Sequence, residues 1–257
     1  EETLEDGVYS PWLLRTSGKG VDFVTRVSTR GELLFDSYTT YGGNAIRPVI
    51  RISLSENNFD IVKETTKEET TPHTRVGRFK DVVPLEDAKP GYVVSFGRYE
   101  EAEGDLVSIY DIEWYVLEVK DGKALLLSKY VMESMPYHEK EEAVSWADCS
   151  LREWLNGTFY SKAFNEEERA RITTTLLENA WNPWNTAAGY EYTEDKVFIP
   201  SIEDMLCGKY NYNVSNFETS DYQFDGYFQT SRERMARRTH GLKGNSENTS
   251  DFSASGY

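Results

Sequence analysis

A short turn between two apolar runs constrains the fold of this chain more than any other feature of its sequence. The runs are "IEWYVLEV" and "ALLLSKYV", and Asp121-Gly122 lies between them. Asp-Gly is typical of a type I′ hairpin turn, because both central residues of that turn need positive φ. The pattern therefore predicts two antiparallel strands on either side of residues 120–123.

The N-terminal part of the chain also has the pattern of β-structure. "VDFVTRVSTRGELLF" alternates in part, and Gly31 is expected to turn the chain. In "AIRPVIRISL" one side of the predicted strand carries Ile46, Pro48, Ile50 and Ile52. Proline cannot donate a ladder hydrogen bond, so Pro48 predicts an edge strand or a bulge.

Composition divides the chain into three parts. Residues 1–54 are rich in β-formers, whereas residues 55–75, "SENNFDIVKETTKEETTPHTR", are rich in Thr, Glu and Lys and have few apolar residues. The middle part therefore reads as a linker. Residues 76–257 are expected to hold the main body of the domain.

Helices are predicted in the second half of the chain. "SLREWLNGTFYSKAF" places four apolar residues on one helical face, namely Leu151, Trp154, Leu155 and Phe159. Two N-cap residues are followed three positions later by an acid, in the pairs Asn165 with Glu168 and Ser201 with Asp204. "SRERMARRT" at 231–239 also predicts a short helix.

Charge and hydropathy exclude several classes of partner. The net charge of −16 repels nucleic acid and anionic membranes. No apolar run reaches the ~18 residues of a membrane span, and the acidic N-terminus does not resemble a signal peptide, although a signal could have been removed. With 39% hydrophobic and 14% aromatic residues, the chain can bury a substantial core.

Cofactor chemistry finds little support in the sequence. The two cysteines, Cys149 and Cys207, read as buried thiols, and the three histidines show no metal-ligand spacing. No resident cofactor is therefore expected. The acidic run with Glu100, Glu101, Glu103 and Asp105 leaves calcium open, but a solvated loop is the favoured interpretation.

Several strings together resemble one bacterial family of domains of unknown function, number 6273. In the body these are "IEWYVLEV", "LLLSK", "VSWADCSLREWLNGTFYSKAF" and "DKVFIPSIEDM". "PWLLRTSG", Gly31 and "NAIRPVIRISL" match the ending of the same family. The resemblance implies an α+β, C-type-lectin-like domain with antiparallel strands and a few helices, in which the first and last strands pair.

The matching segments stand in an unusual order, because the ending precedes the beginning. Residues 1–54 would then supply the closing strands of the domain, through Trp12, Leu14, Arg15, Ile46, Arg47, Pro48, Ile50 and Ile52. They could complete their own chain as a circular permutation, complete a neighbour in a head-to-tail fibre, or mark one period of a tandem array. Arg15 and Arg47 are expected to pair with buried acceptors.

The best ligand candidate is the aromatic and amide-rich stretch "AWNPWNTAAGYEY". Its candidate binding residues are Trp181, Asn182, Trp184, Asn185, Tyr190 and Tyr192. Flat aromatic faces beside amides suit sugar rings, so a glycan is the expected ligand. The favoured alternative is that these tryptophans belong to the core.

These observations predict a non-catalytic structural or adhesive module, located outside the cell or at its surface, whose partner is another copy of itself. A carbohydrate-binding module is the first alternative. An enzyme of the formylglycine-generating type is the second, but the cysteine arrangement of that family cannot be placed in this sequence.

Overall fold

A computed structural model of the chain describes residues 9–20, 22–54, 82–83, 85–103, 106–180, 190–205 and 234–238. Most of these residues form β-strands, and a few form short helices, which confirms the α+β class. The predicted linker at 55–75 lies outside the described residues.

The strands are β1 (Tyr9–Ser10), β2 (Trp12–Ser17), β3 (Phe23–Val27), β4 (Leu33–Tyr38), β5 (Val49–Ser53), β6 (Val82–Val83), β7 (Val93–Glu103), β8 (Leu106–Lys120), β9 (Lys123–Ser128), β10 (Tyr130–Val131), β11 (Thr175–Ala180), β12 (Tyr190–Asp195), β13 (Val197–Phe198) and β14 (Ala236–Arg238). The helices are α1 (Ser150–Trp154), α2 (Tyr160–Ala163), α3 (Glu166–Arg171) and α4 (Ile202–Met205). A π-helical turn, Leu155–Phe159, joins α1 to α2, and a 3₁₀ turn spans Leu85–Asp87.

The largest sheet has six strands in the order β13-β5-β9-β8-β7-β6. Its interior strand β5 comes from the N-terminal segment and pairs antiparallel with β9, from Val49↔Leu127 to Ser53↔Lys123. On its other side β5 pairs antiparallel with β13. The first strands of the body, β6 and β7, lie at the opposite edge of this sheet. The first and last described strands of the chain, β1 and β14, pair with each other in another sheet.

Pro48 precedes β5 rather than interrupting it, and β5 is an interior strand. The prediction of an edge strand or bulge at Pro48 is therefore wrong. The carbonyl of Pro48 accepts a hydrogen bond from the Ser128 amide at 2.9 Å. Pro48 has no N–H to donate to the Ser128 carbonyl in return, and Arg47 Nε donates to that carbonyl instead, at 2.8 Å.

The hairpin between β8 and β9 confirms the turn prediction. Asp121 has a φ of 50° and Gly122 a φ of 68°, as a type I′ turn requires. Gly31, with a φ of 78°, turns the chain between β3 and β4 as expected. Strands β2, β3 and β4 form a separate antiparallel sheet.

The helix predicted at 231–239 is wrong in its described part, because Ala236–Arg238 form β14. This strand pairs antiparallel with β1 and parallel with β10. Pairing with two strands distant in sequence outweighs the local helical preference of an Arg-rich stretch.

The helices predicted in residues 150–164 and at the starts Asn165 and Ser201 are confirmed. The helix predicted in "NEEERARITTTLLE" (165–178) ends earlier than expected, at Arg171, because Thr175–Ala180 form β11. Leu151, Leu155 and Phe159 are buried on one side of the helix formed by α1, the π turn and α2. The Asn165–Glu168 pair forms a capping box at α3. At α4 the Asp204 amide donates to Ser201 Oγ at 3.1 Å, and the Ser201 amide donates to Asp204 Oδ2 at 2.9 Å.

One hydrophobic core joins the two halves of the chain. Ile50 and Ile52 of β5 are buried together with Leu126 of β9 and Val197 of β13. An aromatic group between the sheet and the helix packs Phe164 against Phe96, Phe159 and Trp114. The N-terminal segment is therefore part of the core and not an appendage.

Candidate functional site

The closure residues predicted from the sequence lie on β2, on β5 and in the turn before β5. All eight are buried: Trp12, Leu14, Arg15, Ile46, Arg47, Pro48, Ile50 and Ile52. The indole Nε1 of Trp12 donates to the carbonyl of Arg234 at 2.9 Å. The structure thus brings these residues against parts of the body that are far away in sequence.

Arg15 joins β2 to β11, to α4 and to the chain just after β13. Its Nε donates to Asn179 Oδ1 of β11 at 3.0 Å, and its Nη1 donates to the Ile199 carbonyl at 2.9 Å. Nη1 also forms an ion pair with Asp204 of α4, which accepts from the amide of the capping residue Ser201. This guanidinium is engaged within the protein, which is a positioning role and leaves it unavailable to a substrate.

Arg47 has a similar role beneath the central sheet. Its Nε donates to the Ser128 carbonyl at 2.8 Å. The guanidinium lies 5.3 Å from the centre of the Trp12 ring and 5.9 Å from that of Tyr115. Buried arginines are tolerated when hydrogen bonds and aromatic faces replace water, as they do here.

Trp146, Arg152 and Asn156, which belong to the strings that carried the family resemblance, converge with Thr193 on one buried carboxylate, Asp195 at the end of β12. Its Oδ2 accepts from Trp146 Nε1 at 3.0 Å and from Thr193 Oγ1 at 2.9 Å. Its Oδ1 accepts from Arg152 Nε at 2.6 Å and from Asn156 Nδ2 at 3.3 Å. We call these five residues the Asp195 hub.

Asn156, in the π turn, ties the helix to the start of β13. Its Oδ1 accepts from the amides of Lys196 and Val197, at 2.8 and 3.1 Å, and its Nδ2 donates to the Val197 carbonyl at 2.9 Å. The side-chain amide thus imitates the pairing of a neighbouring strand. An Asn side chain can do this because it carries both an acceptor and a donor.

A cleft of 590 Å³ opens over the Asp195 hub. Its rim carries the exposed acids Asp148, Glu153 and Glu194. The half-buried Lys196 ammonium donates to the Ile172 carbonyl at 2.9 Å. Because the hub atoms below are already paired within the protein, the cleft offers mainly this acidic rim to a ligand.

Cys149 is a buried free thiol and the N-cap of α1. Its Sγ accepts from the Arg152 amide at 3.4 Å. Burial raises the pKa of this thiol to about 12, so the thiolate is scarce at neutral pH. Cys207 lies outside the described residues.

A Ser–His–Glu arrangement lies at the start of α1 and was not predicted from the sequence. Ser150 Oγ lies 3.0 Å from His138 Nδ1, and His138 Nε2 lies 3.0 Å from Glu142 Oε1. The Ser150 amide donates to Nδ1 at 3.2 Å, so Nδ1 is an acceptor and Nε2 carries the proton. The hydrogen bond with His138 lowers the pKa of Glu142.

The neighbouring amides are engaged in the fold. Those of Leu151 and Glu153 donate to the carbonyls of Tyr137 and Cys149, at 3.1 and 3.4 Å. An acyl-transfer site needs such amides aimed at a developing oxyanion. The hydrogen bonds among Ser150, His138 and Glu142 therefore hold the start of α1 in place.

The predicted ligand residues are only partly described. Trp181, Asn182, Trp184 and Asn185 lie outside the described residues, and Tyr190 is described only by its place at the start of β12. Tyr192 is 60% exposed on the outer face of the β11–β12 hairpin, where Leu176 is 65% exposed. The alternate side chains of the two strands, among them Asn179 and Thr193, lie on the opposite face and are buried.

Within the described ranges, no group of three or more His, Cys, Asp or Glu residues could hold a metal ion. Glu100, Glu101 and Glu103 lie at the end of β7, and Asp105 is outside the described residues. Calcium at this run stays a prediction.

The basic cluster near the C-terminus contributes to the fold. Arg234 is buried, and its Nε donates to the Gly31 carbonyl at 2.7 Å. The Arg237 guanidinium lies 5.8 Å from the centre of the Tyr9 ring. In the part of the chain that the structure describes, no helix is long and apolar enough to cross a membrane.

Comparison with known proteins gives a family. Residues 121–250 match the family described as Domain of unknown function (DUF6273), and this range contains the whole Asp195 hub. No curated protein and no solved structure matches the chain. Since the match covers just over half of the sequence, the chain belongs to the family of domains of unknown function DUF6273.

Proposed function

We propose that this chain is a non-catalytic structural or adhesive module, located outside the cell or at its surface, whose N-terminal segment links successive copies. The observation that carries the proposal is the place of β5 as an interior strand between β9 and β13. A copy without this strand would expose two strand edges and the apolar residues beneath them. Each copy therefore needs a closing segment, from its own chain or from a neighbour.

An exchange of the closing segment between copies would preserve every contact described above. Domain swapping is a low-cost route to assembly because the exchanged element makes the same interactions in either arrangement. Residues 55–81 can span roughly 90 Å when fully extended, at about 3.3–3.6 Å per residue. Head-to-tail donation from each copy to the next would then build a fibre.

The buried residues of the closing segment favour its retention in a completed domain. Burial of Ile46, Ile50 and Ile52 contributes about 1.5–3 kcal/mol for each side chain. Arg15 and Trp12 add hydrogen bonds to the body. A chain with its segment withdrawn is therefore a strong acceptor for the segment of another chain.

The C-type-lectin-like fold and the permuted order are part of this proposal. Their support is the α+β content and the entry of β5 from the N-terminal segment into a sheet formed by the body.

The experiment is a light-scattering measurement of mass during size-exclusion chromatography over a wide range of dilution. Donation predicts multiples of the 29.6 kDa chain that persist on dilution.

A cross-link then identifies the donor, because Ser53 and Lys123 are a cross-strand pair. In a Cys207→Ser background, Ser53→Cys with Lys123→Cys gives a covalent ladder if the segment is donated. A single 29.6 kDa species with an internal cross-link refutes donation and leaves a self-closed module.

A carbohydrate-binding module is a second candidate function, favoured by the exposed ring of Tyr192. Glu178 lies directly opposite it in the hairpin and offers a carboxylate to sugar hydroxyls. On a glycan array, Tyr192→Ala and Trp184→Ala should each lose binding. The matched control Tyr38→Ala, also at an exposed tyrosine in a strand, should keep it. Equal binding by all three variants would remove this site assignment.

A further inference from the structure

The β7–β8 hairpin extends beyond the rest of the central sheet. Strand β9 pairs with β8 only as far as Trp114↔Ser128, and β6 pairs with β7 only at Val93 and Val94. The hairpin itself continues from Arg98↔Asp111 to Glu103↔Leu106. We call this extension, residues 98–103 with 106–111, the ribbon; its strands are roughly 20 Å long at ~3.4 Å per residue.

The base of the ribbon is held firmly against the body. The ring of Tyr99 lies 5.2 Å from that of Phe159, and its hydroxyl donates to Glu133 Oε1 at 2.8 Å. The Gly97 amide donates to Glu168 Oε1 at 3.1 Å. The ribbon is thus presented in a fixed direction, which lowers the ordering cost of binding a partner.

No described strand covers the outer edge of β8 in the ribbon. Among the described residues, only β7 pairs with Leu106–Tyr110. The sequence of this stretch, LVSIY, has no charge and no proline, although 28% of the chain is charged. Ile109 is 66% exposed and Tyr110 is 43% exposed. Proteins usually block such edges with charges or proline, because an open apolar edge pairs readily with another strand.

We propose that this edge, Leu106–Tyr110 of β8, binds an extended basic segment of another protein, which adds to the ribbon as a third strand. The main-chain groups of β8 would provide the affinity, as in other cases of strand addition. Charge selects a basic partner, because Asp111 pairs with Arg98 but Glu100, Glu101 and Glu103 leave the ribbon acidic, and the chain has a net charge of −16.

A second copy of this chain fits the edge poorly. Pairing of two such edges would bring together two ribbons of the same negative charge, each with Glu100, Glu101 and Glu103 on β7. Like charges brought together in an interface oppose its formation. A segment that carries Lys or Arg would instead be attracted to the ribbon.

The test uses the full chain and a short synthetic peptide of alternating Lys and Val, with binding measured by fluorescence anisotropy. Two N-methylated peptides carry the methyl groups on alternate residues, so that one peptide loses the amides facing β8 and the other loses those facing away. Strand addition predicts that one of them binds like the parent peptide and the other at least about tenfold more weakly. Equal binding of both would mean that only charge attracts the peptide, and the proposal would fail.

The protein variant Ile109→Lys should weaken binding of the parent peptide by about tenfold or more, because it places a cation beside the edge. Leu176→Lys is the matched control, since Leu176 is equally exposed on a different sheet, and it should bind normally. Light scattering tests whether a second copy of the chain binds the edge instead. A dimer of the unmodified chain that Ile109→Lys converts to monomers would assign the edge to a second copy and overturn the proposal. Absence of peptide binding to the unmodified chain would also overturn it.

Discussion

Arg152 Nε lies 2.6 Å from Asp195 Oδ1, and this ion pair connects α1 to the end of β12. The Asp195 side chain is fully buried, whereas that of Arg152 is 27% exposed. The pair is thus shielded on the carboxylate side and reaches solvent through the guanidinium. Several residues around this pair carry the family resemblance. The hydrogen bonds that Asp195 accepts in the hub all come from side chains of the same protein.

Asp195→Asn should destabilise the protein by about 3 kcal/mol, because the new amide would point N–H groups at existing donors. The value lies at the low end for a broken buried pair, since Arg152 can recover some hydration. Urea denaturation followed by tryptophan fluorescence measures the change. Asp111→Asn is the control at the exposed pair with Arg98 and should cost less than about 1 kcal/mol. Equal losses would contradict a special role for the hub.

Gly97→Ala should cost more than Gly91→Ala, although both glycines have positive φ, 76° and 86°. A side chain at residue 91 would meet open space, whereas a Cβ at residue 97 would lie 2.6 Å from the Phe164 ring. The left-handed backbone costs each alanine variant about 1–2 kcal/mol. Overpacking should add about 1–3 kcal/mol at Gly97 alone.

Thermal unfolding of the two glycine variants separates these effects. Similar losses would show that Phe164 moves aside without cost, and the tight fit between the ribbon base and the helix would be refuted.

Local signals in the sequence predicted their structures well. The Asp121-Gly122 turn and the capping pair of Asn165 with Glu168 depend on residues within a few positions of each other. Their physics is therefore contained in short strings. The buried closure residues were predicted from a resemblance, because nothing in the composition alone tells a closing strand from any other strand.

Long-range contacts could not be predicted in the same way. Asp195 meets Trp146 and Arg152 only after the helix and β12 have packed together. The contact between His138 and Ser150 likewise depends on how the chain before α1 folds back onto the start of that helix. The Arg-rich stretch at 231–239 was predicted as a helix because its pairing with Tyr9 and Tyr130 leaves no local trace.

Cys149 should resist thiol reagents in the native protein. Burial raises its pKa to about 12, and only the thiolate reacts. In a Cys207→Ser background, a disulfide reagent such as DTNB should label Cys149 far more slowly in buffer than in urea. Rapid native labelling at neutral pH would show that the start of α1 opens easily, contrary to its engagement by Arg152 and Tyr137.

The stability of the docked closing segment should depend on pH through Glu203. Burial raises the pKa of this carboxyl, the neighbouring Asp204 raises it further, and Arg15 and Ser201 oppose the shift. Between the ordinary pKa and the raised one, the folded protein holds a proton that the unfolded chain has released. Stability should therefore decline as pH rises through the raised pKa, because the native state then carries a poorly solvated charge.

Glu203→Gln removes this titration and should flatten the dependence of unfolding free energy on pH between the ordinary carboxyl pKa and the raised one. The gain relative to the unmodified chain should be largest above the raised pKa, where Glu203 is ionised, and should shrink on acidification. Urea denaturation at several pH values measures it, and Glu178→Gln at an exposed carboxyl of β11 is the matched control. A Glu203→Gln curve parallel to that of the unmodified chain would mean that Arg15 and Ser201 fully offset the burial, so that Glu203 does not govern docking of the segment.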